Sequence, residues 1–273
     1  GVDTVYVMPV EGGDPLRLTW YPAPSRARGW TPDGKRVLYA SSRATAPTRF
    51  DRLWTVSPEG GPSALLSAQW GTDASFSPDG RALAVDRVAR WDVEWRGYRG
   101  GQNTPLSLLN LDTLEETLLP CERSTDIAPV WLGDTVYFLS DRQGVSNIWA
   151  YGVGDKSLTE LTRFEGSDIK SLAGFEQTLM FERDGRLHTL DLGTLKSRPL
   201  GIEVVGDFPW VEPRWEDVTE RMTAISLSPT GKRLLMEARG DIFTVPLEHG
   251  DARNLSASSG AADRAPVWSP RGD

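Results

Sequence analysis

A unit of about 45 residues that recurs along the chain, four short β-rich runs in each unit, and a Ser/Thr-Pro-Asp-Gly turn between the first two runs predict an all-β protein. The architecture that fits them is a six-bladed β-propeller of four-stranded antiparallel blades, in which each sheet covers the next and few long edges stay exposed. With 39% hydrophobic residues, 27 Gly and 19 Pro among 273 positions, the composition suits short strands joined by tight turns.

The clearest unit spans 27–67 and reads ARGWTPDG, RVLYASSR, RLWTVSPEGG and SALLS. In TPDG at 31–34 and SPDG at 77–80, Pro presets φ at the first corner and Asp-Gly supplies a residue that tolerates positive φ. The phrase loosens to SPTG at 228–231 and SPRG at 269–272. The residue before each turn, Trp30, Phe76, Leu227 or Trp268, is expected to face inward and pack between neighbouring sheets. Stretches 128–162 and 171–200 keep the strands and lose the turn motif. The third-strand phrase occurs six times, as VYVMPVEGG, LWTVSPEGG, LSLLNLDT, IWAYGVGD, LHTLDLGT and IFTVPLEHG.

The last ten residues, RAPVWSPRGD, open another unit without its second strand. One expectation is a clasp: strand 265–269 joins strands 4–10 and 16–19, so that one blade is shared between the N- and C-terminal strands and 1–273 forms a single propeller. A cut from a longer protein is compatible with that expectation and accounts for the missing strand.

Charge and composition exclude several functions. Thirty Lys and Arg against 38 Asp and Glu give a net charge of −8, which repels a phosphate backbone, so nucleic acid is not an expected partner. No apolar run reaches the ~18 residues that span a bilayer, and no membrane partner is expected. The single cysteine, Cys121, forms no intrachain disulfide or CxxC pair and permits a reducing, cytoplasmic compartment.

Catalytic and metal-binding residues are not expected. His188 lies in a strand phrase and His249 in a turn, and no GxSxG elbow supplies a nucleophile for either. Cys121 reads as a partly buried, inert thiol. Two separated His and one Cys do not make a zinc set. Asp33, Asp79, Asp141 and Asp155 read as turn formers, because they lack the close spacing of a calcium loop. GYRGG lacks the Lys-Ser/Thr ending of a phosphate loop, no cofactor is expected, and the final RGD occupies a turn position. The binding candidates are Trp91, Trp95, Arg96, Tyr98 and Arg99, which join amphipathic rings to guanidinium groups in the insertion 91–113. The plainer reading is that these rings cap one face and the arginines pair with local acids.

The insertion WDVEWRGYRGGQNTPLSLLNLDT resembles the WxxYRGG segment of tricorn-type proteases. The order of the phrases around it matches that family too: EGGDPLRLT, GWTPDGKRVLYASSR, FSPDGRALAV, WLGDTVYFLSDRQGVSNIW and SLSPTGKRLLMEARGDIFTVP. The resemblance covers essentially the whole chain and is more specific than SPDG alone, which TolB-like propellers share. It implies a non-catalytic portion of a large serine peptidase, controlling peptide access or mediating assembly, whose relatives carry a six-bladed propeller, a seven-bladed propeller, a PDZ module and a catalytic domain. The expected partners are peptides or the peptidase's own domains and subunits, with oligomerisation in the full-length context. The family pattern also places a propeller–propeller seam near 201–222, around VVGDFPWVEPRWEDVTERM at 204–222. A free-standing TolB-like interaction propeller is the alternative function, and a hydrolase acting at its own central channel is a third class without a catalytic set here.

Overall fold

The computed structural model describes every residue except 1, 49, 88–98, 102, 104, 122, 204, 213, 215, 259 and 273. Its contacts divide the chain into two compact units, Gly1–Ile202 and Glu203–Asp273.

The first unit opens with a two-stranded sheet, β1 (Tyr6–Val7) against β2 (Leu16–Arg17). Four four-stranded antiparallel meanders follow. They are β3 (Ser25–Trp30), β4 (Val37–Ser41), β5 (Arg52–Val56) and β6 (Ala64–Leu65); then β7 (Asp73–Phe76), β8 (Ala82–Asp86), β9 (Ser107–Asn110) and β10 (Glu116–Leu118). Next come β11 (Asp126–Leu132), β12 (Thr135–Ser140), β13 (Asn147–Gly152) and β14 (Leu158–Glu160); then β15 (Ser171–Phe175), β16 (Thr178–Arg183), β17 (Arg186–Asp191) and β18 (Lys196–Pro199). The second unit holds one more meander: β19 (Met222–Leu227), β20 (Arg233–Ala238), β21 (Asp241–Pro246) and β22 (Arg253–Asn254).

Strand alternation explains how the sheets of the first unit stack. Successive side chains leave a strand on opposite faces, and in β4 all five residues are buried. Val37 and Tyr39 pack with Val5, Leu18 and Trp54 on one side. Leu38 and Ala40 pack with Leu83, Val85 and Leu109 of the next sheet on the other. The pattern recurs further along: Phe138 and Trp149 meet Leu106 and Leu119, while Leu139 and Ile148 meet Leu179, Phe181 and Leu190. A sheet with two apolar faces needs a neighbour on each, which is the packing of propeller blades.

Turn chemistry behaves as the sequence predicts. Gly34, Gly80, Gly231 and Gly272 take φ of 67°, 73°, 68° and 84°, and each donates its N–H to the carbonyl of the Thr or Ser three residues earlier. The residues before these turns do not behave alike. Phe76 packs against the core, whereas Trp30 and Leu227 are 49% and 56% exposed, so the expected packing between sheets fails for these two. Trp30 sits on an edge strand whose other side is open.

The strand expected at 265–269 is not formed. Among the described residues β1 pairs with β2 alone. Ala265 takes φ of 52° and donates its N–H to Glu237 Oε2 at 2.8 Å, Trp268 donates Nε1–H to the Ser226 carbonyl at 3.1 Å, and Pro266 has no N–H to give a ladder. The segment is thus fastened within the second unit.

A repeated feature escapes simple pattern reading. An arginine at or just beyond the end of the second strand in each of the first unit's four meanders lies over an aromatic ring: Arg43 over Trp54 at 4.4 Å, Arg87 over Trp70 at 5.6 Å, Arg142 over Trp149 at 4.7 Å and Arg183 over Phe164 at 4.6 Å. Arg142 also pairs at 2.7 Å with Asp126, whose side chain is fully buried. Such stacks add about 0.5–2 kcal/mol where the cation is desolvated.

Phe181→Ala, which empties a fully buried site between two sheets, is expected to cost about 3–5 kcal/mol. Phe175→Ala, at a site 74% exposed, is expected to stay within about 0.5 kcal/mol of the parent. Urea unfolding of both variants checks the pair, and equal effects would contradict the packing described.

Candidate functional site: a channel lined by the first strand of each meander

β3, β7, β11 and β15 are each the edge strand of their sheet, and each touches its counterpart in the next sheet. Together they line one cleft of about 1550 Å³ in the first unit. Cross-links between them show that they run the same way along it. Arg28 of β3 approaches Asp73 of β7 at 3.6 Å, and the turn at Gly80 lies against Pro32. Ala128 N–H of β11 is bound by Asp86 Oδ2 at 3.2 Å, and Trp131 N–H by Ser75 Oγ at 2.9 Å. The first of these bonds exists because β11 carries an irregularity between Ile127 and Val130, where Ala128 takes φ of 52° and turns its N–H out of the ladder. β15 approaches β11 so closely that a Cβ at Gly174 would lie 2.8 Å from both Val130 and Leu179, so glycine is required by the packing.

Parallel strands give the cleft a polarity. The strand starts bring Arg26, Arg28, Asp73 and Lys170 to one end, with Asp51 and Asp86 beside them. The strand ends bring Trp30, Phe76, Trp131 and Phe175 to the other. From Arg26 to Trp30 is about 13 Å at ~3.3 Å per residue.

The charged end is electrostatically loose. Burial pushes the Asp73 carboxyl up to about 6, against the opposing pull of Arg28 and of the Ala74 N–H bond. Burial also raises the Asp51 carboxyl, against the pull of Arg26 and Arg28. Arg28 Nε is buried without a hydrogen-bond partner among the described residues, and Arg26 is held 3.1 Å from Asp3.

Of the residues singled out in the sequence, Trp91, Trp95, Arg96 and Tyr98 lie outside the described residues. Arg99 makes a two-pronged pair with Asp141, at 3.1 and 3.2 Å, and reaches Thr125 Oγ1. Asp141 also accepts the Thr125 N–H at 2.6 Å, and its side chain is 7% exposed. It therefore anchors a loop as well as its own turn, more than the turn-former role expected of it. Asp33, Asp79 and Asp155 do bind turn N–H groups, and their carboxyls are held below the usual range, by the Thr31 and Ser77 hydroxyls and then the turn N–H for Asp33 and Asp79, and by the Ser157 N–H and then its hydroxyl for Asp155. His188 stacks on Phe181 with ring centroids 5.2 Å apart, and His249 is exposed. Burial raises the Cys121 thiol, the opposite of an activated nucleophile. Among the described residues no three His, Cys, Asp or Glu side chains are grouped to hold a metal ion. Among the described residues no helix is long and apolar enough to cross a membrane.

Successive four-stranded antiparallel meanders, with their first strands along one cleft in the first unit, define the blades of a β-propeller. The family model for the tricorn protease N-terminal beta propeller domain matches residues 1–196. The chain belongs to that family. It is 30% identical over 277 residues to tricorn protease homolog 1 of Streptomyces coelicolor, covering 97% of this chain and 25% of the relative. It is 25% identical over 244 residues to the tricorn protease of Thermoplasma acidophilum, covering 85% of this chain and 22% of the relative. The chain thus spans about a quarter of the length of these relatives. In fold it is similar to TolB from Acinetobacter baumannii, with a TM-score of 0.57 at 19% identity, over 92% of this chain and 61% of that one.

The raised Asp73 carboxyl has a consequence for stability. A folded value near 6, above the ordinary 3.8, means that the native state holds the proton more tightly than the unfolded chain does between those values. Stability from this group is therefore fully present below about pH 4 and is lost as pH rises through about 6. Asp73→Asn is expected to be more stable than the parent by about 1–3 kcal/mol at pH 7.5, an advantage that vanishes towards pH 4. Urea unfolding across pH 4–7.5 checks it, and a gap that does not change with pH would contradict it.

Proposed function

We propose that this chain is the non-catalytic propeller portion of a tricorn-like serine peptidase, and that its channel controls the passage of peptides. Catalysis then belongs to other parts of the polypeptide or assembly. The observation that carries this reading is the cleft itself: open, lined by four parallel edge strands, and graded from charged to aromatic. Family membership supplies the peptidase context. The partners are peptides and the peptidase's own domains or subunits, in the cytoplasm. Trp91, Trp95, Arg96, Tyr98 and Arg99 remain candidates for contacts with those partners, with Arg99 held ready by Asp141.

Within this reading, 1–202 belongs to the family's first propeller, of which it holds four four-stranded blades and the β1–β2 pair, and 203–273 opens the following one. The family model's limit at 196 and the division of contacts after Ile202 support it. A free-standing interaction propeller is the second reading, favoured by the fold likeness to TolB.

Blocking the channel tests the proposal. Ala27 and Ala173 are exposed on the cleft walls of β3 and β15. Ala27→Trp and Ala173→Trp are each expected to weaken binding of unstructured, dye-labelled peptides by about tenfold, equal to ~1.4 kcal/mol, in fluorescence anisotropy. The parent chain is expected to leave those peptides uncut. Binding unaffected by either block, or hydrolysis by the chain alone, would contradict the reading.

A further inference from the structure

We propose that the aromatic end of the channel is a side-chain subsite: Trp30, Phe76, Trp131 and Phe175 seat one aromatic or large aliphatic side chain of an extended peptide lying along the cleft. The inference rests on the peptide reading above and adds to it a preference that the family relationship does not supply.

Three observations converge on it. The four rings come from four separate strands, each at the strand's last turn of the pleat before its connection, and all line one cavity. Two of them are not core material, because Phe175 is 74% and Trp30 49% exposed. Leaving large apolar surface in water forgoes about 25 cal/mol per Å², and rigid aromatic rings around a concavity are a common seat for an apolar anchor. The indole of Trp131 donates to the Gly133 carbonyl at 3.1 Å, which fixes that ring.

The other end of the cleft supplies the contrast. The Arg28–Asp73 pair and Lys170 are there, and stripping water from such groups to seat an apolar side chain is unfavourable. The aromatic end therefore receives an apolar side chain at a lower desolvation cost than the Arg28–Asp73 end. The occupant's class follows from the walls. β3 and β15 are sheet edges with no strand paired on the channel side, so extended backbone can lie along them with alternate side chains projecting in opposite directions. The ~13 Å between the charged and aromatic ends matches about four residues of extended chain.

The test uses the 273-residue chain and hexapeptides blocked at both termini, identical except for a central Phe, Leu or Ser, titrated by calorimetry and by saturation-transfer NMR. The Phe and Leu peptides are expected to bind about tenfold more tightly than the Ser peptide. Trp30→Ala and Phe175→Ala are expected to reduce that advantage to about threefold or less, without changing the Ser peptide. Both positions are largely exposed, and unfolding curves check that the variants stay folded. In parallel, a benzoylphenylalanine version of the peptide is expected to cross-link to the ends of β3, β7, β11 or β15.

Phe and Ser peptides bound alike would overturn the subsite and leave the peptide channel standing. Discrimination that survives both substitutions, or cross-links confined to other surfaces, would place the apolar seat elsewhere and overturn the subsite. Binding of no peptide would overturn both the subsite and the peptide reading.

Discussion

Burial of both faces of the central strands in sheets that lie between two others, as in β4, β8 and β13, is the constraint on which the rest of the first unit depends. An ordinary two-layer β protein buries one face and wets the other, so its strands alternate polar and apolar. Here Val37, Leu38, Tyr39 and Ala40 are consecutive and all buried, and Leu83, Ala84 and Val85 repeat the pattern. Each sheet must then be covered on two sides, and repeating that condition along the chain produces a fan of sheets. At about 1.5–3 kcal/mol for each large side chain taken out of water, these inter-sheet layers outweigh any single turn or ion pair.

The channel is a by-product of that packing. The second and third strands carry the apolar load, so the first strand of each meander is left at the inner edge with fewer demands on its residues. Its sequence is free to vary, and it does: SRARGW, DASF, DIAPVWL and SLAGF share little beyond a bulky apolar residue near the end. Polar groups on these strands hold neighbouring sheets in register through Ser75, Asp86 and the irregularity at Ala128. Function can therefore be written on the inner strands without disturbing the core, which is how one fold supports many binding roles.

Much of this was legible in the sequence. Pro-Asp-Gly and its weaker forms announced the turns because positive φ at their glycines is a local requirement. The third-strand phrases announced the repeat because they sit in the core. The channel was less legible, because Trp30 and Phe76 share a motif position yet one faces the cleft and the other partly packs in the core. No local pattern separates those outcomes. They depend on which sheet lies alongside. Asp141 illustrates the same limit: its Asp-Arg-Gln-Gly context reads as a turn, and only the fold brings Arg99 and the Thr125 amide to its carboxylate. The absence of a strand at 265–269 has a local reason, Pro266 beside an alanine held at positive φ.

The most direct test of the central claim, that four inner strands end together at one mouth of a rigid channel, is a set of spin-label distance measurements. Cysteines replace Trp30 and Trp131 in one sample and Phe76 and Phe175 in another, with Cys121 changed to Ser in both. The account predicts a single narrow distance distribution for each pair, as expected for positions fixed on packed strands. Broad or multiple distributions in either sample would contradict it, because the aromatic ends would then not belong to one preformed site.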